Sequence, residues 1–204
     1  MRKIFLVLIT MFACTQLASA QKNYGTQFSV NLGINASQVT DANNYSSDAV
    51  AGLNAGIAVD HNFSRDWGIS VGLNYQQKGW GNGFVILPDN SEIDGVNYKL
   101  NYLTVPVLAK WHFGRTNNWY VDLGPYVGFL LSASESSNTV FDAKSYFNNV
   151  DGGLALGIGV KIPINRYSHF FIEYAAQAGV ANVYRDSYSS VQNITNGLNV
   201  GIGF

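Results

Sequence analysis

The sequence predicts an all-β protein, an eight-stranded antiparallel up-and-down transmembrane β-barrel. Three observations support this prediction. Apolar residues occupy every second position in eight separate runs, the connections between runs alternate between short and long, and the second face of each run carries little charge. A period of two is the spacing of β-strands, because successive side chains point to opposite faces. No run has the spacing of a convincing amphipathic helix.

The eight runs follow one another along most of the chain. Their lengths are close to the ~9–11 residues that a tilted strand needs to cross a bilayer. On the second face, small and polar residues such as Gly, Ser, Asn and Ala fill most positions. The alternating apolar positions are, in chain order, Phe28, Val30, Leu32 and Ile34; Leu53, Ala55, Ile57 and Val59; Trp67, Ile69, Val71, Leu73 and Tyr75; Leu103, Val105, Val107, Ala109, Trp111 and Phe113; Trp119, Val121, Leu123, Val127 and Phe129; Leu154, Leu156, Ile158, Val160 and Ile162; Phe170, Ile172, Tyr174, Ala176 and Ala178; and Leu198, Val200, Ile202 and Phe204.

The connections sort into two kinds. Those after the second, fourth and sixth runs are short, "HNFSRD", "GRTNN" and "INRYSH". Those after the odd-numbered runs are longer and polar, such as 78–97 and 132–150. Short periplasmic turns and long outer loops are typical of barrels in the outer membrane of Gram-negative-type cells. We therefore expect this localisation, with outer-membrane lipid as the immediate partner.

The composition favours a lipid-facing barrel over a soluble one. Charged residues are 12% of the chain, about half the usual share of globular proteins. A soluble barrel needs Lys, Glu and Asp on its wet face, whereas the small residues found here suit the narrow lumen of eight strands. The Val, Leu and Ile face is then predicted to contact lipid. A soluble lipocalin-like ligand-binding barrel is the alternative, which the scarcity of charge opposes.

Aromatic residues cluster at strand ends beside the short turns, as a girdle at the membrane interface requires. The alternative is that they form an ordinary core clamp. These residues are Trp67, Trp111, Phe113, Trp119 and Phe170.

The first residues resemble a targeting segment. Two basic residues are followed by an apolar stretch over 4–13 and an A-x-A cleavage site at 18–20. This pattern predicts a cleaved signal peptide over 1–20 and an outer-membrane β-barrel domain over 21–204. The apolar stretch is shorter than the ~20 residues of a membrane-spanning helix, which is the competing interpretation. A lipoprotein site at Cys14 is a weaker alternative.

The last run ends on Phe204, and a closed barrel explains this ending. The final strand then pairs with the first, so that neither has a free edge. Phe204 is expected at the periplasmic rim. A terminal aromatic resembles the C-terminal signal by which outer-membrane proteins are handed to the barrel-assembly machinery, which we expect as a partner during biogenesis.

Two segments carry a family resemblance. "NYLTVPVLAKWHFG" at 101–114 and "WYVDLGPYVGFLL" at 119–131 resemble the N-Y-L-x-[IV]-P-[VL]-L and G-P-Y-[VL]-G segments of the PorT-like outer-membrane β-barrel family, which are small porin-family proteins. The layout resembles that family across the mature chain. The resemblance implies an eight-stranded outer-membrane barrel, and it transfers no catalytic residues.

Two ion pairs are predicted on the lumen face. If Phe113 faces Trp119 across its turn, Lys110 lies opposite Asp122. The same count across the next short turn, from Ile162 facing Ile172, places Lys161 opposite Glu173. Opposite charges directly across an antiparallel pair attract each other. The alternative is that these are unrelated polar residues near a rim.

No residue pattern points to chemistry. The three histidines, His61, His112 and His169, lie in or beside short turns, and the mature chain has no cysteine, so no metal site or cofactor is expected. A lipid-modifying barrel enzyme is the alternative function, but it lacks a histidine base on the long-loop side. The net charge of −1 argues against nucleic acid as a partner.

A structural or surface-interaction role, and no enzymatic one, is therefore predicted. The long loops mix polar residues with aromatic and aliphatic ones that we expect to be exposed. They could recognise a surface ligand or a neighbouring protein, although plain solvated loops are the simpler interpretation.

Overall fold

The computed structural model closes into an antiparallel barrel in which each strand pairs with the next and β8 pairs with β1. It describes residues 25–41, 47–86, 92–136, 143–185 and 190–204, so the predicted signal peptide lies outside the described residues. The predicted fold class is confirmed. The strands are β1 (Thr26–Asp41), β2 (Asp48–Asn62), β3 (Trp67–Ile86), β4 (Glu92–Phe113), β5 (Trp119–Glu135), β6 (Val150–Pro163), β7 (His169–Gly179) and β8 (Val191–Gly203).

The closure between β1 and β8 explains how the chain ends. Val30 lies opposite Ile202, and Asn35 lies opposite Gly197, as expected from the alternation. Beyond the last strand residue, Phe204 donates its backbone N–H to the carbonyl of Phe28 at 2.8 Å and accepts one from Phe28 at 2.9 Å. The hydrogen-bond ladder therefore continues to the rim and leaves no free edge there.

The two faces of the wall differ as predicted. The Val, Leu and Ile face points outward, with Leu123, Leu156 and Val200 exposed on the barrel surface. Polar side chains such as Asp60 and Asp122 are buried inside. Because an exposed apolar belt is stable only against lipid, this arrangement is that of a membrane barrel.

The aromatic girdle forms a continuous row on the outer surface at the ends of β3, β4 and β5. The ring centroids of Trp67 and Trp111 are 6.2 Å apart, those of Trp111 and Phe113 are 5.1 Å apart, and those of Phe113 and Trp119 are 6.5 Å apart. The three Trp side chains are exposed, which excludes the alternative of a buried core clamp. The row marks the membrane interface at the short-turn end.

The lipid belt gives a first testable prediction. Leu156→Arg, near the middle of the outward face of β6, should lower the free energy of unfolding by about 2–4 kcal/mol, because the guanidinium would lie in hydrocarbon. Ile162→Arg, on the same face beside the short turn, should cost only about 0–1 kcal/mol. Unfolding of both variants by guanidinium chloride, after refolding in lipid, measures the difference. Equal costs at the two positions would show that the belt is misplaced.

At the long-loop end of the barrel, the strands extend further than predicted. The connection expected over 78–97 is mostly a continuation of the β3–β4 hairpin, since β3 runs to Ile86 and β4 begins at Glu92. The longer strands have a physical reason. Between the lipid belt and the long loops, the outer face of the barrel meets water, so its residues need not be apolar. The apolar residues of this part of the strands lie on the inner face instead.

Beyond the strands, the described residues include one short helical segment, the 3-10 turn η1 (Ala143–Tyr146). No helix in the described part of the chain is long and apolar enough to span a membrane.

Candidate functional site in the lumen and its outer cap

The lower ion-pair layer lies near the short-turn end. Lys110 is opposite Asp122 in the β4–β5 register, as the hairpin count expects, with 3.5 Å between Nζ and Oδ2. Its closer partner is Asp60 of β2, at 2.7 Å between Nζ and Oδ2. All three side chains are buried. The contact with Asp60 reaches over β3 on the inner face, so a count along one hairpin cannot reveal it.

The predicted pairing of Lys161 with Glu173 is wrong. The β6–β7 register places Lys161 opposite Phe171 and Gly159 opposite Glu173, two positions away from the expected match. The reason is a tighter turn, in which Pro163 still pairs with His169. A shift of two positions keeps every side chain on its predicted face but changes its neighbour.

Lys161 and Glu173 find other partners in the same layer. Lys161 Nζ lies 3.9 Å from Asp60 Oδ2 and donates a hydrogen bond to Gln27 Oε1 at 3.3 Å. Glu173 accepts hydrogen bonds from the Tyr120 hydroxyl at 3.0 Å and from Asn199 Nδ2 at 3.2 Å. The lower layer is therefore one network of ion pairs and hydrogen bonds, and not two separate hairpin pairs.

A chamber of about 110 Å³ adjoins this network, and Lys110, Asp122 and Glu173 are among its lining residues. Amide and small side chains line it, including Asn31, Asn54, Asn74 and Gln76. Asn31 Nδ2 donates to Asn74 Oδ1 at 3.5 Å across the wall. A polar cavity of this size accommodates water. Amide and small side chains thus line much of the middle of the lumen, between the lower network and the residues above it.

The upper layer centres on Lys78, which the sequence assigned to a loop. Its Nζ lies 2.9 Å from Asp151 Oδ2, and the two side chains are 0% and 3% exposed. The Tyr126 hydroxyl accepts from Lys78 Nζ at 3.4 Å and donates to Asp151 Oδ2 at 3.2 Å. The ammonium also lies 4.5 Å from the ring centroid of Tyr126 and 5.5 Å from that of Tyr102. This ion pair is the most completely buried one described in the protein.

An apolar cap closes the long-loop end above Lys78. Trp80 stacks on Tyr98 with ring centroids 4.9 Å apart, and Phe147 and Tyr184 approach its ring at 5.8 and 5.9 Å. Trp80 and Phe147 are only 2% and 1% exposed, so our expectation of exposed loop aromatics is wrong for them. The other buried members of this cap are Val39, Val96, Leu100, Tyr102, Leu130, Val183 and Val191.

The loop segments of the cap are held by backbone contacts. Asn148 N–H donates to the Val183 carbonyl at 2.8 Å, and Arg185 N–H donates to the Tyr146 carbonyl at 3.1 Å. Asn148 Nδ2 adds bonds to the carbonyls of Asn182 and Tyr184 at 2.8 and 3.0 Å. The segment after β5 and the segment after β7 therefore fold onto each other across the barrel mouth.

The histidines remain at the short-turn end. His61 Nδ1 contacts Thr26 Oγ1 at 3.1 Å, and His112 Nε2 contacts Asn62 Oδ1 at 3.2 Å. His169 packs against the ring of Phe171. In the ranges that the structure describes, no three His, Cys, Asp or Glu side chains are placed to hold a metal ion.

These features define a small integral barrel with an inward polar network and an outward lipid belt. Residues 18–185 match the family described as "Outer membrane protein beta-barrel domain". The chain belongs to this family, and its place is the outer membrane, in contact with outer-membrane lipid.

Solved structures resemble this chain at low sequence identity, and the first two of the three below share its fold. OprG of Pseudomonas aeruginosa is 13% identical with a TM-score of 0.53, covering 89% of this chain and 97% of OprG. Neisserial surface protein A is 14% identical with a TM-score of 0.51, covering 86% of this chain and 95% of that protein. Ail of Yersinia pestis is 16% identical with a TM-score of 0.47, and the match covers 88% of this chain and 99% of Ail. A search of curated proteins found no match.

Proposed function

We propose that this protein is a barrel closed to solutes, with a structural or surface-interaction role and no enzymatic activity. The observation that carries the proposal is the layered filling of the lumen. A charged network closes the short-turn end, the buried Lys78–Asp151 pair closes the upper half, and the apolar cap lies over it. Eight strands leave room for side chains and not for a wide water column.

The cap supports the surface role. Its aromatic contacts hold the loop segments around Phe147 and Tyr184 in a defined arrangement. A loop fixed in this way presents a preformed surface, and binding to such a surface costs less ordering entropy. Tyr146 and Val180 are exposed beside the buried cap residues and are available to a surface ligand or a neighbouring protein.

Three finer assignments belong to the same proposal. The segments at 101–114 and 119–131 favour the PorT-like subgroup within the family. Phe204, at the end of the strand ladder, is proposed as the signal for the barrel-assembly machinery. Residues 1–20 are proposed to be removed, which leaves the barrel domain over 21–204. No cofactor is proposed, and the histidines described above lie far along the strands from the loop side.

Conductance in planar bilayers tests the closed lumen. We expect purified protein to show little steady conductance under conditions in which a sixteen-stranded porin opens large channels, because each ion would have to pass two ion-pair layers and an apolar cap. Refolded protein with the heat-shifted gel mobility of a closed barrel should be used, so that the absence of current is not a folding failure. Large, stable wild-type channels would contradict the proposal.

A further inference from the structure

Each short turn carries one arginine. Arg65 follows β2, Arg115 follows β4, and Arg166 follows β6. All three are exposed. Within the described residues, no salt bridge joins any of them to a carboxylate; the salt bridges there involve lysines. Three guanidinium groups are therefore presented to the surroundings at one end of the barrel.

Two of the arginines lie close in sequence to the aromatic girdle. Arg65 is two positions from Trp67, and Arg115 is two positions from Phe113, both members of the aromatic girdle. Two residues of extended chain span about 7 Å at most. The headgroup layer on each side of the hydrocarbon core is about 5–7 Å thick. Since the girdle marks the edge of the hydrocarbon, the backbone of Arg65 and Arg115 lies within reach of the headgroup layer.

Apolar side chains accompany the arginines. Phe63 is 61% exposed and Tyr167 is 68% exposed, and Ile164 is also exposed, although all three lie in or beside short turns. Large apolar groups at turn tips are unfavourable in bulk water but are stable at the boundary between headgroups and acyl chains. This pairing of a cation with an exposed apolar group favours a lipid surface over a hydrated polysaccharide.

The three short turns carry a net positive charge. In the turns 63–66, 114–118 and 164–168, the one acidic residue is Asp66. Its carboxylate accepts a hydrogen bond from Asn117 Nδ2 at 2.6 Å, which ties two of the turns together. A guanidinium group presents a planar fork of donors that matches phosphate oxygens, often through two parallel hydrogen bonds.

We propose that Arg65, Arg115 and Arg166 form an arginine ring that binds the phosphates of phospholipids in the periplasmic leaflet, with a preference for lipids of net negative charge. The ring would fix the depth of the short-turn end in the bilayer. It does not depend on whether the lumen conducts.

Spin-labelled lipids measure this preference directly. Protein reconstituted in phosphatidylcholine vesicles receives trace spin-labelled phosphatidylglycerol or phosphatidylcholine, and electron paramagnetic resonance gives the motionally restricted fraction of each. We expect wild-type protein to favour phosphatidylglycerol. The gain should approach about fivefold per arginine at the lipid sites that an arginine touches, and it should be smaller when averaged over the whole lipid shell. The triple change Arg65→Gln, Arg115→Gln and Arg166→Gln should remove most of this preference, and the matching Arg→Lys variant should retain part of it.

Arg185→Gln is the matched control, because Arg185 is exposed at the opposite end of the barrel. It should leave the lipid preference unchanged. All variants must show the heat-shifted mobility of the folded barrel before measurement. An unchanged preference in the triple Gln variant, or an equal loss in Arg185→Gln, would overturn the proposal. The proposal would also be overturned if the wild-type protein showed no lipid preference but cosedimented with insoluble peptidoglycan, and if this cosedimentation required the three arginines.

Discussion

Lys78→Met is expected to lower the free energy of unfolding by about 3–5 kcal/mol, because it leaves a buried carboxylate without its counter-charge. Asp151 is 3% exposed, and with Lys78 gone the Tyr126 hydroxyl is its remaining polar contact among those described. Met keeps much of the length of the lysine stem, so the loss measures the charge more than the volume. Guanidinium titration of the refolded barrel gives the value.

The double variant Lys78→Met with Asp151→Leu should be more stable than Lys78→Met alone, since no buried charge remains. Lys99→Met provides a matched control. Lys99 belongs to the same hairpin, but its side chain is exposed on the outer face, so its loss should change stability by less than about 0.5 kcal/mol. If Lys78→Met were as mild as Lys99→Met, the upper layer would not be a buried ion pair in the membrane.

The wall of the barrel was predictable from sequence because lipid imposes one rule on all eight strands. Every outward residue must be apolar and every second residue must turn inward, so a period of two identifies both the strands and their faces. Val30 and Leu156 lie outward and Asp122 lies inward, as the alternation required. The pairing of β1 with β8 followed from the same rule, because an open edge cannot lie in hydrocarbon.

The cap was missed because the rule reverses above the membrane. In β4 the outward apolar positions begin at Leu103, whereas Tyr98, Leu100 and Tyr102 face inward. The direction of the side chains keeps alternating, but the apolar residues move from the inward positions to the outward ones between Tyr102 and Leu103. A search for such changes could have extended β3 and β4 and identified the buried aromatics. Contacts between segments distant in sequence, such as Trp80 with Phe147, still require the three-dimensional structure.

The charged residues show a second limit of sequence reasoning. The β4–β5 register could be counted because Phe113 and Trp119 pair across their turn as assumed. The β6–β7 register was miscounted, because the count assumed that Ile162 faces Ile172, whereas Ile162 faces Phe170. Even the correct register gives only wall neighbours. The closest partner of Lys110 is Asp60, which lies two strands away, so the contact reaches over β3 on the inner face of the wall.

This geometry leads to a prediction for Lys110, whose removal should cost about 3–5 kcal/mol of unfolding free energy. Lys110→Ala leaves Asp60, Asp122 and Glu173 with Lys161 as the remaining lysine of the network, so like charges are then poorly compensated. The coupling energy from a double-mutant cycle should be larger for Lys110 with Asp60, at 2.7 Å, than for Lys110 with Asp122, at 3.5 Å. In both cycles the double Ala variant should cost less than the sum of the two single changes.

The control cycle combines Lys110→Ala with Asp151→Ala. These residues belong to different layers and share no hydrogen-bonded partner in the described contacts, so their costs should add to within about 0.5 kcal/mol. Additive losses for Lys110 with Asp60 would contradict the contact between these two side chains over β3. A larger coupling with Asp122 than with Asp60 would instead mean that the hairpin pair dominates. Attraction between buried charges falls with distance, so the shorter contact with Asp60 should show the larger coupling. The opposite result would mean that Asp122, the neighbour of Lys110 in the wall, balances most of its charge.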